Sequence, residues 1–180
     1  MPTIGIITDT HIPQRLPRLP DGIGVAFRGV ELILHAGDVN KRCVLDDLNR
    51  IAPTLAVAGN ADLFGSGLPA RRIVQVGGRR IGLTHGHGSW PRYLWRKIVD
   101  ALAREYDTDF YARAALAEFQ GDRVDAVVFG HTHRPCQIRL NGVLMFNPGP
   151  VAPAYYTTRG PQVGLLHIDA RGVRAEVIEL

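Results

Sequence analysis

Residues 3–11 read Thr3-Ile4-Gly5-Ile6-Ile7-Thr8-Asp9-Thr10-His11, an apolar, β-branched run that stops on polar residues. Such a run reads as a buried strand that delivers Asp9 and His11 into a loop, here one holding Pro13, Pro17 and Pro20. The pattern returns at residues 31–36 (ELILHA), which end in Gly37-Asp38, and at residues 54–58, closed by Gly59-Asn60. Between them, Val44, Leu45, Leu48 and Ile51 recur at helical spacing within residues 41–51. Strand, loop, helix, strand argues for a parallel β-α-β unit, so the first half is α/β.

Working outward, residues 72–76 and 79–84 flank Gly77-Gly78 and read as a hairpin that ends in His85-Gly86-His87. Residues 92–105 and 109–120 carry apolar positions at helical spacing, with Gly121 stopping the second helix. Residues 124–129 form a buried strand that delivers Gly130-His131-Thr132-His133. The last stretch reads as antiparallel, with strands at 136–140 and 143–146 about Asn141-Gly142, then at 163–168 and 173–178. With neither an internal repeat nor a linker, residues 1–180 are expected to form one domain.

Composition excludes disorder and fibrous architectures: of 180 residues, 46% are hydrophobic and 21% charged. Nineteen of the 21 basic residues are Arg, but a net charge of +4 with no basic run longer than two reads as a solvated surface. A small substrate is therefore favoured over a long nucleic acid. Cys43 and Cys136 are too few and too far apart for a disulfide framework or a thiolate metal site. No apolar run approaches the roughly 18 residues of a membrane span, and no secretory leader is visible. A cytoplasmic protein without membrane partners is expected, with a homo-oligomer left open.

The informative feature is positional. Asp9 and His11, Asp38, Asn60, His85 and His87, and His131 and His133 each follow a strand, and in α/β sheets ligands bind at that edge. Singly, Asp9 or Asn60 suits a turn, and His131 and His133 alternate along extended chain so that both imidazoles face one site. Together they bring carboxylate, amide and imidazole donors without thiolate, a set for divalent Mn, Fe, Co, Ni or Zn rather than Mg or Ca. Seven donors exceed one site, so two metals sharing a carboxylate is the economical arrangement.

Asp9-x-His11, Gly37-Asp38, Gly59-Asn60-x-Asp62, His85-Gly86-His87 and Gly130-His131-x-His133 resemble, in order and spacing, the motifs of calcineurin-like metallophosphoesterases. The resemblance spans residues 3 to about 150. The phrases at residues 9–13 (DTHIP), 35–39 (HAGDV) and 146–149 (FNPG) are similar to the small bacterial and archaeal phosphodiesterases of that superfamily. The resemblance implies a four-layer α/β/β/α sandwich of two mixed sheets. It also implies two divalent transition metals, manganese first among them: one on Asp9, His11 and His133, the other on Asn60, His85 and His131, with Asp38 bridging. A hydroxide shared by the metals would hydrolyse a small phosphodiester.

Many members of the superfamily carry a histidine directly after the Gly-Asn pair, where this chain has Ala61. His87 is the substitute nearest in sequence, either catalytic alongside Asp38 and Asn60 or a hydrated loop residue. Without a strong general acid, diesters with good leaving groups are expected to react fastest. Asp62 is a candidate partner for an imidazole, and His35 reads as core. His167 receives no role. Arg15 and Arg134 are candidates for a phosphate, and Trp90, Tyr93 and Trp95 for a pocket wall or helix packing. Within the class the alternative is a nuclease or cyclic-nucleotide phosphodiesterase. Outside it, the alternative is a non-catalytic scaffold, as in the retromer subunit that shares this fold.

Overall fold

The computed structural model describes residues 1–62, 67–88, 95, 96, 98, 99, 107–153 and 160–180. The order is β1 (Thr3–Ile7), α1 (Gly22–Ala26), β2 (Leu32–His35), α2 (Arg42–Asn49), β3 (Thr54–Ala56), β4 (Arg71–Val76), β5 (Arg79–Thr84), α3 (Thr108–Ala117), β6 (Ala126–Val128), β7 (Cys136–Leu140), β8 (Val143–Asn147), β9 (Gln162–Asp169) and β10 (Gly172–Glu179). The strands form two mixed sheets of five, in the orders β10-β9-β1-β2-β3 and β4-β5-β6-β8-β7. Each has a parallel centre, β1-β2-β3 in one and β5-β6-β8 in the other.

Alternation along the strands builds the layers. Ile4, Ile6 and Leu34 of the first sheet meet Ile81, Leu83, Val128 and Phe146 of the second in a core between the sheets. Ile33 and Ile7 face the other way, against Ile23, Phe27, Val44 and Leu48 of the α1–α2 layer. Val127 and Met145 likewise pack outward on Tyr111, Ala112, Ala115 and Phe119. The result is the four-layer α/β/β/α sandwich.

Two glycines make the outer layers fit. A Cβ on Gly5 would come 2.9 Å from the Phe27 ring, and one on Gly82 would come 2.9 Å from the Phe119 ring. Each central strand thus leaves a notch for an aromatic from the helical side.

The hairpin turns follow the sequence pattern: Gly77-Gly78 and Asn141-Gly142 each have two consecutive positive φ angles, the requirement of a tight two-residue turn. Other expectations need correction. The five-residue α1 carries two glycines and no side-chain N-cap bond, so no periodic signal announces it. Helix α3 ends at Ala117, before Gly121. The last four strands are two antiparallel hairpins in different sheets, since β8 also pairs in parallel with β6 while β9 pairs with β1. Of the helix expected over 92–105, only residues 95, 96, 98 and 99 lie within the described residues.

Replacing Gly82 by Ala should destabilise the fold by about 1–3 kcal/mol through overpacking, and a second change, Phe119→Leu, should recover part of the loss. Denaturant unfolding of the two variants measures both.

Candidate metal centre

The parallel strands end at one rim, where loops from both sheets meet. Asp9 N–H donates to the Gly37 carbonyl and His11 N–H to the Asp38 carbonyl, both at 3.0 Å, which ties the loop after β1 to the loop after β2. Across the sandwich, the His85 Nδ1 donates to the Ala36 carbonyl at 2.7 Å, leaving Nε2 to face inward. Gly130 N–H bonds the His85 carbonyl at 3.2 Å and brings in the loop of His131 and His133.

Four side chains form a first cluster: single donor atoms of Asp9, His11, Asp38 and His133 lie within 4.8 Å of one another, and all four residues are buried. His133 Nε2 is 3.2 Å from both Asp9 Oδ1 and His11 Nε2. Three further side chains form a second group: the amide oxygen of Asn60 lies 3.1 Å from His85 Nε2 and 2.8 Å from His131 Nδ1. Asp38 Oδ2 lies between the groups, 3.4 Å from His11 Nε2 and 3.5 Å from His85 Nε2. All seven sequence-selected ligand candidates therefore meet at one place.

Backbone geometry there is unusual. Asp9, His11, Asp38, His131 and His133 all have positive φ, between 45° and 69°. Non-glycine residues hold that conformation at a cost of about 1–3 kcal/mol each, and they do so where the surroundings dictate it. Glycine serves close approach nearby. A Cβ on Gly59 would lie 2.1 Å from Asp38 Oδ1, and one on Gly130 would lie 2.0 Å from Thr8 Oγ1.

Charge states follow from burial and neighbours. Burial alone would raise the Asp9 pKa, but His133, His85 and His11 hold it well below the usual carboxylate range. Burial lowers the pKa of His11 and, with His85 adding repulsion, takes that of His131 far below its ordinary value. His85 goes the other way: burial opposes its charge, yet Asp38 and Asp9 raise its pKa. Ionised carboxylates and neutral imidazoles are the states a divalent cation requires. Asp9 Oδ1, a buried oxygen, faces His133 Nε2 at 3.2 Å, whereas Oδ2 accepts from Thr8 Oγ1 at 2.8 Å and His131 N–H at 3.2 Å. The donor set and the inward-facing carboxylate oxygen both fit a divalent metal.

The supporting residues were only partly foreseen. His35, read as core, is buried but connected: Gly37 N–H donates to its Nδ1, so the proton on Nε2 faces Thr10 Oγ1 at 3.2 Å, and that hydroxyl donates on to the Asp38 carbonyl. Asp62 orients no imidazole; its oxygens accept from Asn40 N–H at 2.6 Å and Gly59 N–H at 2.8 Å, pinning two ligand loops together. Asn147 explains the FNPG phrase, because its Nδ2 donates to the Gly130 carbonyl and its Oδ1 accepts from Gly149 N–H. Glu118, missed in the sequence, accepts from Thr84 Oγ1 at 2.6 Å just before His85.

His87 lies beside the centre, its ring 5.5 Å from that of His85 and tilted 55° to it, with burial and His85 pushing its pKa down to about 4. Arg15 reaches His133, and Arg134 closes a backbone turn with Thr132. Trp95 is exposed, while Trp90 and Tyr93 lie outside the described residues. His167, far along β9, meets Thr3. A cleft of about 770 Å³, lined by Asn40, Lys41, Leu45, Ala61, Leu68 and Arg72 among others, follows the loops after β2 and β3, and none of the seven candidate ligands lines it.

The model of the calcineurin-like phosphoesterase superfamily domain matches residues 3–171. The chain belongs to this superfamily. A probable metallophosphoesterase of Methanothermobacter thermautotrophicus is 35% identical over 176 residues, covering 97% of this chain and 91% of that protein. Among solved structures, an archaeal phosphodiesterase superposes with a TM-score of 0.67 at 23% identity, covering 98% of this chain and 99% of that one. Vps29 of Entamoeba histolytica in complex with zinc gives 0.63 at 21% identity, with 98% of each chain covered. These two likenesses bear on the fold. Family membership and the compact Asp/His cluster together support divalent metal binding and phosphoester hydrolysis in general. No helix among the described residues is long and apolar enough to cross a membrane.

Burial and neighbouring imidazoles push His35 down to about 4 from 6.5, so the unfolded chain binds the extra proton between those values. Stability of the metal-free protein should therefore be full above pH 6.5 and fall as pH drops towards 4, with His35 contributing about 3 kcal/mol of that loss. Unfolding measured across this window should show a shallower slope for His35→Asn.

Proposed function

We propose that this protein is a dinuclear metal-dependent phosphodiesterase acting on a small phosphodiester. The observation that carries the reading is Asp38 Oδ2 set almost equally between His11 Nε2 and His85 Nε2, the position of a shared carboxylate. Asp9, His11 and His133 would hold one cation and Asn60, His85 and His131 the other, with manganese the first choice and nickel, iron, cobalt or zinc able to serve. Bound there, the cations supply Lewis acidity that activates water and neutralises charge on the phosphate.

The chain's own part is orientation. Ala36 and Asn60 aim His85, Thr8 and the His131 N–H hold Asp9 by its far oxygen, and Ala61 N–H donates to Asp38 Oδ1 at 2.7 Å, leaving Oδ2 for the centre. His87 is neutral near pH 7 and is a weak proton donor to a departing alkoxide. Ala61 offers no donor side chain. Diesters whose leaving group needs no protonation are thus preferred. The sequence carries no basic run longer than two residues, so a small diester is favoured over a nuclease substrate. The likeness to Vps29 keeps a protein-binding scaffold as the second reading. A cytoplasmic site of action suits the reduced cysteines.

Chelator-stripped protein given Mn²⁺ should hydrolyse an aryl phosphodiester, and Asp38→Asn should lower that rate by about two orders of magnitude or more while circular dichroism is unchanged. A fully active variant rejects the shared-carboxylate assignment, and a wild type inert with every added metal favours the scaffold. Across diesters whose leaving groups span several pKa units, rates should fall steeply as leaving-group pKa rises.

A further inference from the structure

Arg15 sits one turn beyond His11, its N–H bonded to the His11 carbonyl at 2.9 Å, so its position is locked to a proposed ligand. Its guanidinium nitrogen Nη1 is 3.3 Å from His133 Nδ1 and 3.4 Å from the Pro153 carbonyl. A guanidinium only donates, so His133 Nδ1 accepts, and a neutral imidazole in that role carries its proton on Nε2. Nε2 is the nitrogen that points into the cluster, at 3.2 Å from Asp9 Oδ1. A protonated nitrogen has no lone pair to offer a cation. Ligation through Nε2 therefore requires the proton to shift to Nδ1, with none gained or lost overall, and two donors then face each other where Arg15 stood.

We propose that Arg15 is a metal-gated phosphate ligand: it caps His133 in the metal-free protein, and cation loading turns its guanidinium out to the rim, where it binds a non-bridging phosphoryl oxygen. The inference rests on the proposed dinuclear centre and adds a substrate-binding residue to it. Three features favour it. The side chain is half-buried and already at the first cluster. Its planar fork matches two phosphate oxygens. The cation that expels it also repels it, while a bound phosphate anion draws it back, so loading and substrate capture are ordered.

Two opposite effects follow from one substitution. Arg15→Ala removes a competitor for His133 and a repelling charge, so the first Mn²⁺ should bind about three- to tenfold tighter by calorimetry on stripped protein. The same variant, loaded with Mn²⁺, should bind inorganic phosphate about tenfold more weakly, and KM for an aryl diester should rise with kcat within about threefold. Arg15→Lys, which keeps the charge without the fork, should fall between wild type and Ala in both affinities, and it serves alone if the Ala variant does not fold. In ¹⁵N spectra, His133 Nδ1 should be unprotonated in metal-free wild type and protonated after Zn²⁺ is added. Wild-type Mn²⁺ uptake with both affinities unchanged in the Ala variant overturns this inference alone. A wild type that takes up none of Mn²⁺, Ni²⁺, Fe²⁺, Co²⁺ or Zn²⁺ overturns the proposed dinuclear centre and this inference with it.

Discussion

Among the hydrogen bonds that join the loops of the two sheets, one ties side chain to backbone directly behind Asp38: His85, just past β5, gives its Nδ1 proton to the carbonyl of Ala36, just beyond β2 in the other sheet. The bond fixes which nitrogen of His85 faces Asp38 and sets how closely the two sheets' loops approach. Gly37 has to be glycine beside it, because a Cβ would lie 2.7 Å from His85 Nδ1 and its φ is +94°. Asp38 follows at once, so the carboxylate proposed to be shared is placed by contact between sheets rather than by either loop alone.

Around that joint, polar groups outside the ligand set act as struts. His35 and Thr10 brace the Asp38 loop from within the first sheet, Asp62 ties it to the loop after β3, and Asn147 holds the His131–His133 turn. Each strut is buried or half-buried and hydrogen-bonded to backbone, which is how short side chains hold loops that lack ladder partners.

Much of this was legible in the sequence, for identifiable reasons. Strand ends could be read because apolar runs stop abruptly on polar residues, several of them in Gly-Asp, Gly-Asn and Gly-His pairs, and the proposed ligands lie there. The four layers came through resemblance, since alternation in residues 3–7 says that both faces of β1 are covered but not by what. Roles carried by contact were illegible. Glu118 looks like any exposed helix carboxylate, and only packing of α3 brings it to Thr84. Asp62 sits at the spacing of a histidine partner but spends both oxygens on backbone N–H groups. Position at a strand end suggests a sharp turn, yet Gly59 and Gly130 lack a positive φ and are needed because other atoms crowd them.

The left-handed backbone at Asp9, His11, Asp38, His131 and His133 has a consequence for anyone evolving this protein in the laboratory. Selection for heat resistance in the presence of chelator would reward glycine at those five positions, since glycine relieves the torsional penalty that chemistry imposes. Such a screen would enrich robust, well-folded and inert descendants, and the winning substitutions would trace the outline of the catalytic centre as a map drawn in its own erasures.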